Sequence, residues 1–229
     1  DDERTPIGAN NQVINSSLHD NRVAGVLFSY QKDFLLNNNI LSKNGHEADG
    51  GTGYGAASAA GSYNVGITYT NNTTDHNYRK GLDIHDGNNI LIENNTLNGD
   101  RLYGVAVYNR QFTMDNVIIK NNVVTQDPSF RLDKNDNPIY TYHGYAGIHL
   151  QTNTQPEYKH FKSGETGYFE ISDNTITGID LYKNEHHTYG IEFRNHEPDM
   201  LYNLNITGNH IEGKETKYII AAMNNGADY

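Results

Sequence analysis

The run Gly81-Leu82-Asp83-Ile84-His85-Asp86 brings two carboxylates and an imidazole within four positions. On an extended strand Asp83 and His85 share a face, because side chains alternate with period two. An imidazole with an unperturbed pKa of about 6.5 suits the removal of a proton near neutral pH, and a carboxylate beside it can orient the ring or raise its basicity. Such a base fits proton abstraction at the carbon next to a carboxylate, a step that produces an enolate-like species and needs a cation to neutralise it. Lys80, Arg101, Arg110 and Arg194 are candidate cations, and Tyr108 is a candidate for the second proton. Asp86, His149, Gln151 and Glu192 complete the set expected to touch a substrate. Return of the proton to the opposite face gives epimerisation, and loss of a leaving group from the neighbouring carbon gives β-elimination. Residue types leave that choice open.

Hydrolysis of a glycosidic bond is the chemical competitor, and it requires two carboxyl groups roughly 5 to 9.5 Å apart. Asp83 and Glu192 fall three repeats apart, roughly 14 Å at strand spacing, which is too wide. Asp83 with Asp86, or with Asp100, keeps hydrolysis open.

These residues can meet only if distant parts of the chain are stacked, and the sequence carries a repeat that does so. The phrase apolar-x-Ile-x-x-Asn recurs around Asn39, Asn72, Asn95, Asn122, Asn174 and Asn209, and more weakly at Ser16. A glycine followed by apolar-x-apolar lies nine residues after Ser16, Asn72 and Asn95, and sixteen or twenty-five after Asn39, Asn174 and Asn122. The longer intervals read as loops inserted into a common frame, at residues 45–61, 125–145 and 153–167. Short alternating runs rich in Val, Ile, Thr and Tyr, bounded by Asn, Asp and Gly, predict strand after strand with tight corners. Asn at a corner tolerates a left-handed backbone, and its amide can bond to the Asn of the next repeat.

Stacked repeats of this kind predict an all-β, right-handed parallel β-helix of about seven coils, spanning residues 1–229 as one domain. Alternation on the glycine strand then sends two rows outward: Leu27, Ala57, Asp83, Ala106, His149, Glu192 and Ile220 in one, Ser29, Ala59, His85, Tyr108, Gln151, Arg194 and Ala222 in the other. Titratable residues concentrate in four adjacent coils, and the inserted loops flank the same strand, so this face is the expected groove.

Gly81 to Asp86 resembles the Gly-x-Asp-Pro-His-Glu/Asp motif of the alginate (mannuronan) epimerases, parallel β-helix enzymes that act on uronate polymers. The resemblance implies that Asp83 and His85 line a catalytic groove and that an arginine, loosely matched by Arg101, holds the substrate carboxylate. Ile84 stands where proline is usual, and Lys80 stands where the family's catalytic tyrosine precedes the glycine. The coil pattern as a whole also looks like pectin-lyase-like domains and bacteriophage tail-spike depolymerases. Those resemblances imply an acidic polysaccharide as partner, a secreted or virion-surface location, and possible homotrimers.

Composition agrees with a carbohydrate partner. A net charge of −11 argues against binding nucleic acid, and the longest apolar run, residues 218–223, is too short to span a bilayer. There is no cysteine, so disulfide and thiolate chemistry are excluded. Seventeen tyrosines suit an outer surface that stacks on sugar rings. The opening Asp-Asp-Glu-Arg reads as a mature product or a piece of a longer chain.

No cofactor is expected. Asp133-Lys134-Asn135-Asp136-Asn137-Pro138 begins like a calcium loop, but Pro138 and Gly144 replace the required glycine and glutamate, so it reads as an exposed turn and a structural calcium is only weakly suggested. His186-His187 would point apart on a strand, against zinc. A non-catalytic polysaccharide-binding or adhesion module remains the alternative class, with exposed Leu27 and Ile220 suiting subunit contacts or end caps.

Overall fold

A computed structural model describes residues 6–139, 144–152, 166–180, 188–196, 201–214 and 218–224. The chain winds through three sheets, and every pairing between their strands is parallel. One sheet runs from Gly8–Ala9 and Gln12–Ile14 through Gln31–Asn37, Asn64–Thr70, Gly87–Glu93, Val117–Lys120 and Thr166–Ser172 to Leu201–Thr207. A second consists of short strands, among them Thr73–Asp75, Thr96–Asn98 and Val123–Thr125. The third, which carries the groove, stacks Ala24–Phe28, Tyr54–Ser58, Lys80–His85, Tyr103–Tyr108, Tyr145–Gln151, Thr188–Asn195 and Tyr218–Asn224. Seven coils of a parallel β-helix result, as the repeat predicts.

Each inward row is a column of like residues. Val26, Ala56, Leu82, Val105, Ile148 and Ile191 form one, and Leu36, Tyr69, Ile92, Ile119 and Ile171 face it from the opposite sheet. The core is thus a narrow apolar shaft along the axis, and no coil can bury its own face without its neighbours.

The corners divide a task that the sequence pattern assigns to one residue. Left-handed backbone falls on the residue before each repeated Asn: Asn38, Asn71, Asn94, Asn121 and Asp173 all have φ between 55° and 57°. The Asn that follows is free to turn its amide inward and is buried. Asn95 donates to Tyr69 O and to Asn122 Oδ1, and its own Oδ1 accepts from both Asn72 N and Asn72 Nδ2. The same links run from Asn39 to Asn209. A second ladder, Asn21, Asn44, Asn77 and Asp100, closes the next corner, with a carboxylate in its last rung.

The repeated glycine sits where the second and third sheets meet. A methyl group at Gly104 would lie 2.6 Å from Val124 Cγ1, and one at Gly147 would lie 2.5 Å from Ile176 Cγ2. Close approach, not backbone conformation, therefore demands glycine there.

The last coil departs from the expected register. Tyr218 pairs with Tyr189, so Ile219 and not Tyr218 faces Gly190, and Ile220 continues the column of Ile191. Glu192 accordingly pairs with Ala221, and Arg194 with position 223, where the repeat expects Ile220 and Ala222. One extra residue in the connection exchanges the two faces of the strand, and stacking on Ile191 favours the apolar choice. Ile220 is nevertheless half exposed, as the end coil has a neighbour on one side only among the described residues.

Candidate functional site

Parallel register brings the expected residues into two adjacent rows on the outer face of the third sheet. Asp83 pairs with Ala106, Ala106 with His149, and His149 with Glu192. Beside them His85 pairs with Tyr108, Tyr108 with Gln151, and Gln151 with Arg194. Above these rows lies a groove of about 590 Å³, lined by His85, Tyr108, Arg110, His149, Gln151, Glu192 and Arg194 together with Lys80, Arg79, Tyr54 and Tyr103.

Its floor holds two charged clusters. In the first, Asp83 is fully buried, with Lys80 Nζ donating to Oδ1 at 2.8 Å and His85 Nδ1 lying 2.9 Å from Oδ2. His85 Nδ1 also lies 3.3 Å from Ser58 O. The alignment with the carboxylate is too poor for a formal hydrogen bond, yet both neighbours accept and neither donates, so the Nδ1 proton is held toward the floor. The ring itself lines the groove. Ser58 fixes the backbone as well, its hydroxyl donating to His85 O and accepting from His85 N, each at 2.7 Å.

Burial raises the Asp83 carboxyl, but the His85 and Lys80 charges outweigh it and hold the group well below the usual carboxylate range. Burial also pulls the Lys80 ammonium down, against the attraction of Asp83. The ammonium lies 5.8, 5.7 and 6.0 Å from the ring centres of Tyr54, Tyr103 and Tyr108, an aromatic enclosure that partly replaces water.

In the second cluster His149 Nδ1 lies 2.7 Å from Glu192 Oε2, and Arg194 Nε donates to Oε1 at 2.6 Å. Burial raises Glu192, whereas His149 and Arg194 bring it below its ordinary value. His149 Nε2 meets Gln151 Oε1 at 3.0 Å, and Gln151 continues to His196. Tyr103 stacks flat on His149 with 4.4 Å between ring centres and so roofs Ala106 between the clusters. Its phenol is pushed well above the usual tyrosine value, chiefly by burial.

Two expected site residues serve elsewhere. Arg101 turns away from the groove: its guanidinium pairs with Glu47 at 2.6 Å, donates to Phe130 O, and lies 4.2 and 4.8 Å from the ring centres of Phe130 and Tyr78. Asp86 is buried and accepts from the backbone N–H groups of Gly61, Arg110 and Gln111, so it shapes the turn that carries Arg110 instead of meeting a ligand. Asp133 likewise accepts from Asn135 N and Asn137 N and closes an exposed turn. His186 and His187, and most of 153–167, lie outside the described residues.

Tyr54, Tyr103, Ser58 and Arg79 belong to the groove but escape the two-row pattern. A signal for the first two is present: Tyr54, Lys80, Tyr103, Ala146 and Tyr189 each precede the strand glycine and pair coil to coil as a third row. Lys80 thus occupies a position that is tyrosine in the coils on either side.

Charge separates the groove from the rest of the molecule. Among the described residues, Arg79, Lys80, Arg110 and Arg194 line it against one acid, Glu192, in a chain of net charge −11. None of the carboxyls considered for hydrolysis is a proton donor facing it. Asp83 and Glu192 are held ionised and stand three coils apart, Asp86 caps a turn, and Asp100 is enclosed in the corner by Thr74 and Asn77.

The family model described as a right-handed β-helix region matches residues 7–155 and 62–228. No curated protein and no solved structure matches the chain. The likeness to uronate epimerases rests on the six residues Gly81 to Asp86 alone.

Proposed function

Since the chain belongs to the right-handed β-helix family, whose stacked coils present rows of side chains to long ligands, we propose that it acts on an acidic polysaccharide laid along the third sheet, by proton abstraction at a uronate. The observation that carries this reading is the His85–Asp83–Lys80 cluster beneath a cation-lined groove in a strongly acidic protein. Cations attract the polymer's carboxylates, and low-dielectric walls strengthen that attraction over its value in water.

His85 Nε2 removes the proton next to the uronate carboxyl, and the electron pair moves into the carboxylate as an enolate offset by Arg110 and Lys80. The pair then expels the oxygen of the neighbouring glycosidic bond, which takes its proton from Tyr108. Asp83 keeps the Nδ1 proton in place and stabilises the imidazolium that forms. His85 and Tyr108 pair directly across adjacent coils, with ring centres 5.4 Å apart, so they approach a sugar from one side. That arrangement favours elimination over epimerisation, which needs a proton donor on the opposite face.

Incubation with uronate polymers tests the reading. Elimination generates the ultraviolet absorbance of an unsaturated uronate, whereas epimerisation gives none but incorporates deuterium from heavy water. New reducing ends without the absorbance point to hydrolysis, and binding without turnover points to an attachment module. Either result overturns the proposal.

A further inference from the structure

Lys80 is a buried ammonium with one hydrogen bond. It is 5% exposed, and among the described residues Asp83 Oδ1 is its one acceptor, although an ammonium carries three N–H donors. The rings of Tyr54, Tyr103 and Tyr108 enclose the rest of it.

Tyr103 differs from the other two in being braced. It pairs with Lys80 in the coil before and with Ala146 in the coil after, and His149 from that later coil lies against it at 4.4 Å, with 2° between the ring planes. The Tyr103 ring is therefore held between an ammonium and an imidazole. Ala106 and Ala146, fully buried at neighbouring positions of the two rows, leave room for the flat pair.

His149 is itself locked. Its Nδ1 meets Glu192 Oε2, its Nε2 meets Gln151 Oε1, and the second oxygen of Glu192 accepts from Arg194 Nε. Both residues are buried as well as engaged, so a sugar hydroxyl could reach them only by displacing one of these contacts, which is disfavoured.

Resting on the reaction proposed above, we infer that His149 and Glu192 are positioning residues, which brace the Tyr103 ring against Lys80 and so keep the ammonium dry and fixed on Asp83 where the enolate forms. The sequence places both among the residues that touch a substrate; this role lies one layer beneath it. The second cluster acts on the first through a single aromatic ring.

Loss of the brace admits water to Lys80. Burial is the largest influence holding that ammonium below its ordinary value, so uncovering it moves the value up. The attraction of one ring at 5.7 Å, which favours the ion, is the smaller effect at that range. A hydrated ammonium also neutralises the enolate less well, because solvent weakens the interaction between charges.

The Lys80 Nζ titration reads the brace directly. It is followed by NMR on the ligand-free protein with isotopically labelled lysine, and assigned by its absence from Lys80→Arg. Tyr103→Ala and His149→Ala should titrate at higher pH than the parent, whereas Tyr103→Phe and His149→Phe, which keep a ring in each place, should titrate with it. The two His149 variants lose the same hydrogen bonds, so the difference between them isolates the stacked ring. On a hexauronate, His149→Ala should lower kcat about 10–100-fold with KM little changed. An unshifted titration in both alanine variants overturns the brace, as does an equal shift in His149→Ala and His149→Phe. A raised KM with kcat kept puts His149 at the substrate and overturns it too. If His149→Ala does not fold, the Tyr103 pair decides by the same titration. Absence of turnover by the parent overturns the proposed function alone, since the titration is made without ligand.

Discussion

His85 Nδ1 lies 2.9 Å from Asp83 Oδ2, and the other oxygen of the same carboxylate accepts from Lys80 Nζ at 2.8 Å. One buried anion therefore holds both a base and a cation in place at the floor of the groove.

Asp83→Asn keeps the shape but removes the charge that fixes the Nδ1 proton. Turnover of a uronate polymer should fall about 10²–10⁴-fold, with KM changed little. It should also destabilise the fold by about 3 kcal/mol, because Lys80 is left as a buried cation without its anion. The pH sign is fixed by the depressed carboxyl: its stabilising contribution is complete above the unfolded value of about 3.9 and declines as acid protonates the folded state. Melting curves of the two proteins should diverge above that pH and converge at strongly acid pH. A constant gap down to pH 2 would refute the assignment.

Asp100 carries the opposite sign. Burial pushes its carboxyl up to about 7, against the hydrogen bonds from Thr74 and Asn77 that favour the ion. A raised folded value contributes stability that is complete below the unfolded value of about 3.9 and is lost as pH rises through about 7, on the order of 4 kcal/mol at most. Asp100→Asn restores the amide found at Asn44 and Asn77, so the variant should melt higher than the parent at pH 8 and have a flatter profile between pH 4 and 8. Identical profiles would show that Asp100 is ionised throughout.

The two residues of each corner should respond differently. Asn95→Ala orphans Tyr69 O, Asn72 N and the neighbouring amides, a loss of about 3 kcal/mol or more by thermal or urea unfolding. Asn94→Gly, at a φ of 57°, should shift stability by about 1 kcal/mol or less, because glycine accepts that backbone freely. Equal costs at the two sites would contradict the division of labour.

The coil pattern was legible because burial repeats: every inward column needs apolar residues at fixed steps, and the Asn ladder punctuates them. The rows of Asp83 and His85 followed from alternation alone. Three features did not follow. The register of the last coil turns on one residue in a connection, which composition does not encode. Arg101 and Asp86 are of the right type and near the right place, yet Glu47 and Phe130 capture one, and the Arg110 turn captures the other, through contacts as much as 54 residues apart in sequence. Lys80 looked like a departure from a motif, and only the tyrosines in the coils on either side explain how an ammonium is tolerated there.

Arginines on the two sides of that distinction supply the sharpest contrast. Arg101 sits between Phe130 and Tyr78 with Glu47 at its end, so Arg101→Ala removes packing and cation–π contacts and should lower stability by about 1–2 kcal/mol. It should leave affinity for an acidic oligosaccharide unchanged. Arg110 lies on the groove wall, and its turn is anchored by Asp86 through the backbone. Arg110→Ala should leave the melting temperature nearly unchanged, weaken binding about tenfold at low salt, and reduce the dependence of affinity on ionic strength, since one exposed ionic contact is gone. Measuring both quantities for both variants crosses the two outcomes. If Arg101→Ala loses affinity while keeping its stability, the carboxylate clamp lies on the loop side of the molecule, and the groove above Asp83 is not where the polymer binds.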